Sequence, residues 1–402
     1  MLLIEKLDYC INGKHIKFIL IQLAFLISIC FILFAPEAGL FTQIFSQSKH
    51  KSFHRQISES SSSSLINNKN LVILKLKSKC NCKFKQQINV IKNNVENNYE
   101  IWLNKEKLLY NLTNLEYDSL NVTCDLYNVL RRGKNQKVIS YSLYGKSDRY
   151  YRFLHPLIMT IKRYYPTWLM RVYYDDSIDL NKICEIECAI EKKTGLMLDN
   201  ADFCNSNSLN LKLNNVNLLL NASYMHSMKW RWLPMGDSFV DIFMSRDTDS
   251  LILQREIDAV KDWLNRSTVV HIMRDSSSHP QEMLGGMWGF RNDLNRRLAN
   301  HIYGLITNRN ISKFYNYNNK SQRGHDQFFL RDHVYPLIKF NSTQHDSYFC
   351  ESFKNLTIPF PTERVGNCFV GGTSWACFGT NRSLSTCPLE CRPKDHPDWT
   401  SC

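Results

Sequence analysis

Two carboxylates one residue apart, Asp247 and Asp249, close the short apolar run Phe239-Val-Asp-Ile-Phe-Met-Ser-Arg-Asp-Thr-Asp-Ser250. The run reads as a buried strand. Strand ends are where α/β proteins place chemistry, because the loop is exposed while the strand holds it rigid. Carboxylates at this spacing can share a hard divalent cation, and the cation can grip a diphosphate. That is an arrangement for holding a nucleotide sugar. An Asp-x-Asp by itself arises by chance in a chain of this composition. Here it occurs once, and its position at a strand end carries the inference.

The flanking sequence supplies the elements that must position such a turn. Val138–Leu143 reads as a first strand. A helical apolar pattern follows through Phe153, Leu157, Ile161 and Tyr165, with Pro156 suited to the helix start. Leu169–Tyr174 is a second strand, ending in Asp175-Asp176. Strand, helix and parallel strand open a doubly wound α/β sheet. Helices are expected near residues 181–194 and 224–233, then the Asp-x-Asp strand. An amphipathic helix with Ile257, Val260, Trp263 and Leu264 on one face follows, and then a strand over Thr268–Met273.

Phe18–Ala35 is an uncharged apolar run near the minimum length for a membrane span. Lys14 and Lys17 precede it, which favours a cytoplasmic N-terminus. The run exceeds the usual apolar core of a cleaved signal peptide, and Pro36-Glu37-Ala38 is a poor cleavage site. A retained signal anchor is therefore expected, with residues 1–17 cytoplasmic, 18–35 in the membrane and the remainder lumenal. Asn-x-Ser/Thr acceptors at Asn111, Asn121, Asn221, Asn265, Asn310, Asn319, Asn341, Asn355 and Asn381 all follow the span. Of the fourteen cysteines, only Cys10 and Cys30 lie within or before it. The other twelve are an even number, as a disulfide framework in an oxidising compartment requires. Cys387-x3-Cys391 has the look of half a zinc site, but no Cys/His pair of matching spacing accompanies it.

The formal charge of +13 suggests nucleic acid until it is located. From Lys49 to Lys92 ten basic residues face the single acid Glu59, which accounts for nine of the thirteen net charges. With the Ser58–Ser64 cluster and many Asn, this stretch reads as a solvated stem over residues 36–130. No nucleic-acid partner is expected, and the stem offers a place for homodimerisation. A catalytic domain is expected over 131–349, and a Cys-rich region packed on it over 350–402.

From Lys137 to Tyr348 the chain resembles a lumenal glycosyltransferase of the GT-A fold, an α/β fold with a doubly wound mixed sheet flanked by helices. The resemblance is carried by Tyr144-Gly145, Tyr165-Pro-x-Trp168, Arg171-Val-Tyr-Tyr-Asp-Asp176 and Trp230-Arg-Trp-Leu-Pro-x-Gly-Asp237 leading into the Asp-x-Asp strand. Met283-Leu-Gly-Gly-Met-Trp-Gly289 and Gly324-His-Asp-Gln327 add to it downstream. It implies that Asp247 and Asp249 bind Mn2+ or Mg2+ bridging a UDP- or GDP-sugar, with a distant histidine completing the shell. His345 is the candidate, with His325 and His271 as competitors, and imidazole would favour Mn2+. Arg246 or Arg231 would contact the donor phosphates. Tyr144 and Asp176 would hold base and ribose. Gly285, Gly286 and Trp288 would meet the acceptor sugar. Asp326 and Gln327 would sit near the reacting carbon, with Asp326 and Glu282 the carboxylates to test as general base.

The resemblance thus implies a type II membrane glycosyltransferase of the Golgi or endoplasmic reticulum, acting on a glycan, glycolipid or glycoprotein. A sulfotransferase reading draws on Gly145-Lys146-Ser147, but Ser140 stands where a phosphate-binding loop needs glycine. A membrane-anchored glycan-binding protein without catalysis is the third reading.

Overall fold

The computed structural model describes residues 70–82, 87–189, 198–210, 219–316, 324–373, 377 and 385–402. The expected anchor and the first part of the stem lie outside the described residues. Among those described, no helix is long and apolar enough to cross a membrane.

The N-terminal part differs from the expected stem. β1 (Asn70–Leu76), β2 (Ile88–Asn93), β3 (Asn98–Leu103) and β4 (Glu106–Thr113) form an antiparallel sheet in that order. Ile88, Val90, Ile101 and Leu112 turn inward and are fully buried, while lysines occupy outward positions. A strand that alternates apolar residues with Lys and Asn resembles a solvated stalk in composition and a half-buried strand in period. The period prevails. Leu126, Tyr127, Val129 and Leu130, on the helix Leu126–Arg132, join the same core. This sheet and helix therefore lie within residues 36–130, the span expected as a solvated stem.

The main sheet has eight strands. β5 (Gln136–Leu143), β6 (Trp168–Tyr174) and β7 (Ala201–Asn205) run parallel, and β8 (Leu209–Asn210) and β9 (Leu219–Leu220) form a separate short pair. β10 (Val240–Arg246) is parallel to β5 on its other side. β11 (Val270–Arg274), β13 (Ser342–Asp346) and β14 (Thr357–Ile358) are parallel to one another. β12 (Met287–Arg291) is antiparallel and lies between β10 and β11, giving the order β14-β13-β11-β12-β10-β5-β6-β7. This is the mixed α/β sheet expected. Helices Leu154–Tyr164 and Gln254–Leu264 pack on one face through Leu157, Ile161, Val260 and Trp263. Pro156 falls in the first turn of its helix, where a missing N–H costs nothing. The helix expected near residues 224–233 is instead a 3-10 run over Ser227–Gly236 containing Pro234, every residue from Lys229 to Gly236 being buried.

Because β12 reverses direction, its first residue Met287 pairs with Arg246, the last of β10. The loop entering β12 is thereby brought against the Asp-x-Asp turn.

All twelve expected cysteines are paired. Cys80–Cys184 and Cys82–Cys188 fasten the segment after β1 to the helix Leu180–Glu187, and Cys124–Cys204 ties residue 124 to β7. Cys350–Cys391, Cys368–Cys377 and Cys387–Cys402 organise the C-terminal region. Cys387 and Cys391 are thus spent on disulfides, which removes the zinc reading. Two groups of metal-ligating type occur among the described residues, Cys80–Cys184–Glu187 and Asp346–Cys350–Cys391. Both depend on disulfide-bonded sulfurs, which are not thiolates.

Beneath the sheet, Arg171 and Asp237 form an ion pair at 2.9 Å with both side chains fully buried. Gln136 accepts from the same guanidinium, and Thr123 and the Phe239 N–H donate to the carboxylate. Removing one partner strands a buried charge. Asp237→Ala is expected to cost about 3–5 kcal/mol, read as a lowered urea midpoint of the disulfide-intact chain; a loss below about 1 kcal/mol would contradict this reading.

Candidate active site

The C-terminal ends of β5, β10 and β11 open into a cleft of about 450 Å3. Eight of the residues singled out from sequence line it: Tyr144, Arg231, Asp247, Asp249, Gly285, Gly286, Asp326 and Gln327. They come from five separate segments, so the fold alone brings them together.

Arg231 organises the floor. It is 3% exposed, and its guanidinium is paired with Asp247 through Nη1 and with Asp326 Oδ2 through Nη2 at 2.9 Å. Asp326 is itself 2% exposed and sits in the first turn of the helix His325–Phe329. Gly285 and Gly286 lie against these carboxylates. A Cβ on Gly285 would fall 2.1 Å from Asp326 Oδ2, and one on Gly286 would fall 2.2 Å from Asp247 Oδ2. The glycine pair is therefore required by the carboxylates it packs on. Asp249 is held above the usual carboxylate range by burial and then by the Asp247 charge, with Arg149 and Arg231 pulling the other way. Burial pushes the Tyr144 hydroxyl up to about 12, keeping it protonated; its ring stands edge-on to Trp230 at 6.1 Å.

Two contributors escaped the sequence reading. His279 lines the cleft, its ring edge-on to Phe369 at 5.5 Å, and its Nδ1 is buried with no hydrogen-bond partner among the described residues. Burial lowers its pKa, and the Asp275 and Asp247 charges oppose that shift. The only local signal was its place between a strand end and the Gly-Gly pair. The second contributor is the C-terminal region, whose Gly371 and Thr373 form one wall. Thr373 bridges to Ser250, the Gly372 carbonyl accepts from the Leu251 N–H, and the Ser250 hydroxyl donates to the Gly371 carbonyl at 3.1 Å. The Cys368–Cys377 disulfide clips this wall.

The structure leaves five expected residues outside the cleft lining. His345 is fully buried, with Nδ1 2.8 Å from His271 Nε2 and Nε2 3.1 Å from Asp262. It braces β13 against β11 and the helix Gln254–Leu264, and His271 is spent in the same chain. Arg246 turns away to Glu256 at 2.6 Å and to the carbonyls of Ser245 and Trp288. Trp288 is a core residue packed edge-on to Phe243 at 5.2 Å. Asp176, at the end of β6, accepts from Asn205 and Asn207, and those hydrogen bonds lower its pKa. Glu282 does not line the cleft, and its carbonyl accepts from Arg274. His325, the other competitor, faces the Tyr315 carbonyl and stacks on His226. Gly145, Lys146 and Ser147 are exposed outside the cleft, with the Gly145 N–H given to Ser177 Oγ, so no phosphate-binding cradle forms there.

Asp247 and Asp249 offer hard carboxylate oxygens at the cleft, the kind a Mn2+ or Mg2+ ion takes. Among the described residues no third His, Cys, Asp or Glu forms a compact ligand group with them.

No protein-family model matches the chain, and no curated protein matches it in sequence. Among solved structures it is similar to a glycosyltransferase involved in the glycosylation of the major capsid of PBCV-1, at 14% identity and a TM-score of 0.31, over 55% of this chain and 89% of that one. It is also similar to the galactosyltransferase LgtC in complex with donor and acceptor sugar analogs, at 14% identity and 0.31, over 53% and 74%. An active-site mutant of LgtC gives 13% and 0.30. Scores this low carry no argument about chemistry, which has to come from the cleft.

One buried base borders the site. Lys229 is 1% exposed, its Nζ 4.0 Å from the Phe329 ring centre and 3.4 Å from Ser312 Oγ. Burial pushes it down to about 7 while the Asp326 charge opposes the shift. An unfolded lysine titrates near 10.4, so between about pH 7 and 10.4 the unfolded chain binds more protons than the folded one. Stability therefore rises with pH across that window, and the penalty is fully present below pH 7. Lys229→Met is expected to flatten this rise in urea midpoints measured from pH 7 to 10; an unchanged slope would show that Lys229 stays charged in the fold.

Proposed function

We propose that the chain is a metal-dependent glycosyltransferase that moves a sugar from a UDP- or GDP-sugar to a glycan, glycolipid or glycoprotein. The observation that carries this reading is the convergence of Asp247 and Asp249 with Arg231, Asp326 and the Gly285-Gly286 pair in one cleft at the strand ends. Asp247 and Asp249 are the residues that would hold the cation. When bound, it would neutralise charge on the departing nucleoside diphosphate.

The chain's own residues divide the remaining work. Arg231 fixes Asp247 and Asp326 relative to each other, so the cation-binding and sugar-facing carboxylates are set by one guanidinium. Arg149, exposed at the cleft edge, is the lining arginine with no carboxylate salt bridge among the described residues, and it supplies positive charge for the phosphates. Tyr144 and Tyr150 offer ring faces to the nucleoside. Asp326 and Gln327 offer hydrogen bonds to sugar hydroxyls. Gly371 and Thr373 complete the wall of the cleft.

A type II arrangement in the Golgi or endoplasmic reticulum completes the proposal, supported by the apolar run Phe18–Ala35 and by six disulfides that need an oxidising compartment.

The test is release of free nucleotide from a panel of UDP- and GDP-sugars, with and without Mn2+. One donor is expected to be turned over only with metal, and Asp247→Ala/Asp249→Ala is expected to abolish it. Arg231→Ala, which removes the residue orienting both carboxylates, is expected to weaken activation by Mn2+ about 10- to 100-fold. Turnover indifferent to metal and to the double substitution would overturn the assignment, as would silence across the panel.

A further inference from the structure

The acceptor sequons are scattered in sequence, but the fold gathers three of them. Asn265 ends the helix that precedes β11, Asn341 directly precedes β13, and Asn355 stands two residues before β14. These strands are adjacent and parallel in the order β14-β13-β11. The three asparagines therefore lie at the starting edge of the strands, while the cleft lies at their finishing edge.

A surface hollow of about 330 Å3 confirms that they are neighbours. It is lined by Arg266 and Ser267 of the first sequon, Ser342 and Thr343 of the second, and Leu356 of the third. Thr268 and Thr343 share a hydrogen bond at 2.6 Å across it, and Asn341 Oδ1 accepts from the Val269 N–H. All three asparagines are exposed. For Asn341, the oxygen is used inward, and the Nδ2 that a glycan would occupy makes no hydrogen bond among the described residues. Asn355 sits in a left-handed turn with φ 67°, a loop tip.

Asn121 is built the other way. Its Nδ2 donates to the Gly236 carbonyl at 2.7 Å. Thr123 of the same sequon is fully buried against Asp237 and Tyr173. A sugar on that nitrogen would displace the start of β10 from its support.

We infer that Asn265, Asn341 and Asn355 carry N-linked oligosaccharides clustered round one hollow on the sheet edge opposite the cleft, and that Asn121 does not. The inference rests on the lumenal placement proposed above and is independent of the reaction proposed for the cleft. In the transfer, asparagine Nδ2 forms a bond to the anomeric carbon of a lipid-diphosphate-linked oligosaccharide. The anomeric C–O bond breaks, the lipid diphosphate leaves with the electron pair, and one amide proton is released to a base. The step acts on the extended chain during synthesis, so burial of a sequon hydroxyl, Thr343 or Thr123, does not decide it; a glycosylated chain reaches this fold only where Nδ2 is not used in it, which excludes Asn121. Glycans there would also cover β14, the short edge strand of the main sheet, against pairing with other chains, and would leave the donor and acceptor sides open.

The test uses the full chain produced in a eukaryotic secretory host. Enzymatic removal of N-glycans in heavy-oxygen water converts each occupied asparagine to labelled aspartate, read by peptide mass spectrometry. Label is expected at two or more of Asn265, Asn341 and Asn355, with Asn121 unlabelled. Each matching Asn→Gln substitution should quicken gel migration by one glycan step. Label at one or none of the three overturns the cluster, and label at Asn121 overturns the exclusion. If Asn221 or Asn310 is labelled while the three are bare, the cluster alone has failed. If no sequon is labelled, the lumenal placement has failed with it, and nucleotide release from the cleft is still read separately.

Discussion

A buried arginine between two carboxylates sets the geometry of the whole cleft. A guanidinium cannot be taken out of water without compensation, and Arg231 is 3% exposed. Its two partners come from separate segments, Asp247 after β10 and Asp326 on a helix 95 residues beyond Arg231. The pairing demands that both segments stop at a fixed distance from the 3-10 run that carries Arg231. It also demands that the loop between them present only backbone, which Gly285 and Gly286 do. The fully buried Arg171–Asp237 pair fixes the C-terminal end of the same run, since Asp237 caps it. Buried ion pairs thus hold one ten-residue segment at its middle and at its C-terminal end. Such pairs contribute little net stability but penalise any arrangement that separates them.

A second buried charge explains why the Cys-rich region belongs to the site. Asp275, fully buried at the end of β11, accepts from Arg255, Arg364, Ser347 and the Val370 N–H. Arg255 lies on the helix that follows the Asp-x-Asp turn, Arg364 and Val370 in the C-terminal region, and the loop carrying His279 begins at the next residue. One carboxylate therefore sets the turn, the imidazole and the Gly371–Thr373 wall relative to each other. The Cys368–Cys377 disulfide shortens the loop that carries this wall, so the wall is held covalently as well as by Asp275.

The parts of this arrangement that were legible in the sequence are those with a local signature. The apolar run before Asp247 showed a strand, and the even set of cysteines showed disulfides. What a side chain faces was less legible. Arg246 and Trp288 have the composition of ligand-binding residues, yet their partners Glu256 and Phe243 make them core. His345 looked like a distant ligand, but Asp262 and His271, 83 and 74 residues away, claim both its nitrogens. His279 had no sequence signal beyond its position, because the loop is placed by β12 running backwards, which periodicity does not reveal. The N-terminal sheet was hidden by its outward lysines and asparagines, which give a half-buried strand the composition of a solvated stalk.

The measurement that tests the central claim most directly is an anomalous difference map at the manganese edge, from crystals of the chain grown with Mn2+ and a nucleoside diphosphate. The account predicts one strong peak beside Asp247 and Asp249, with diphosphate density toward Arg149. A peak beside His345 and Asp262, or diphosphate bound with no manganese near Asp247, would contradict it.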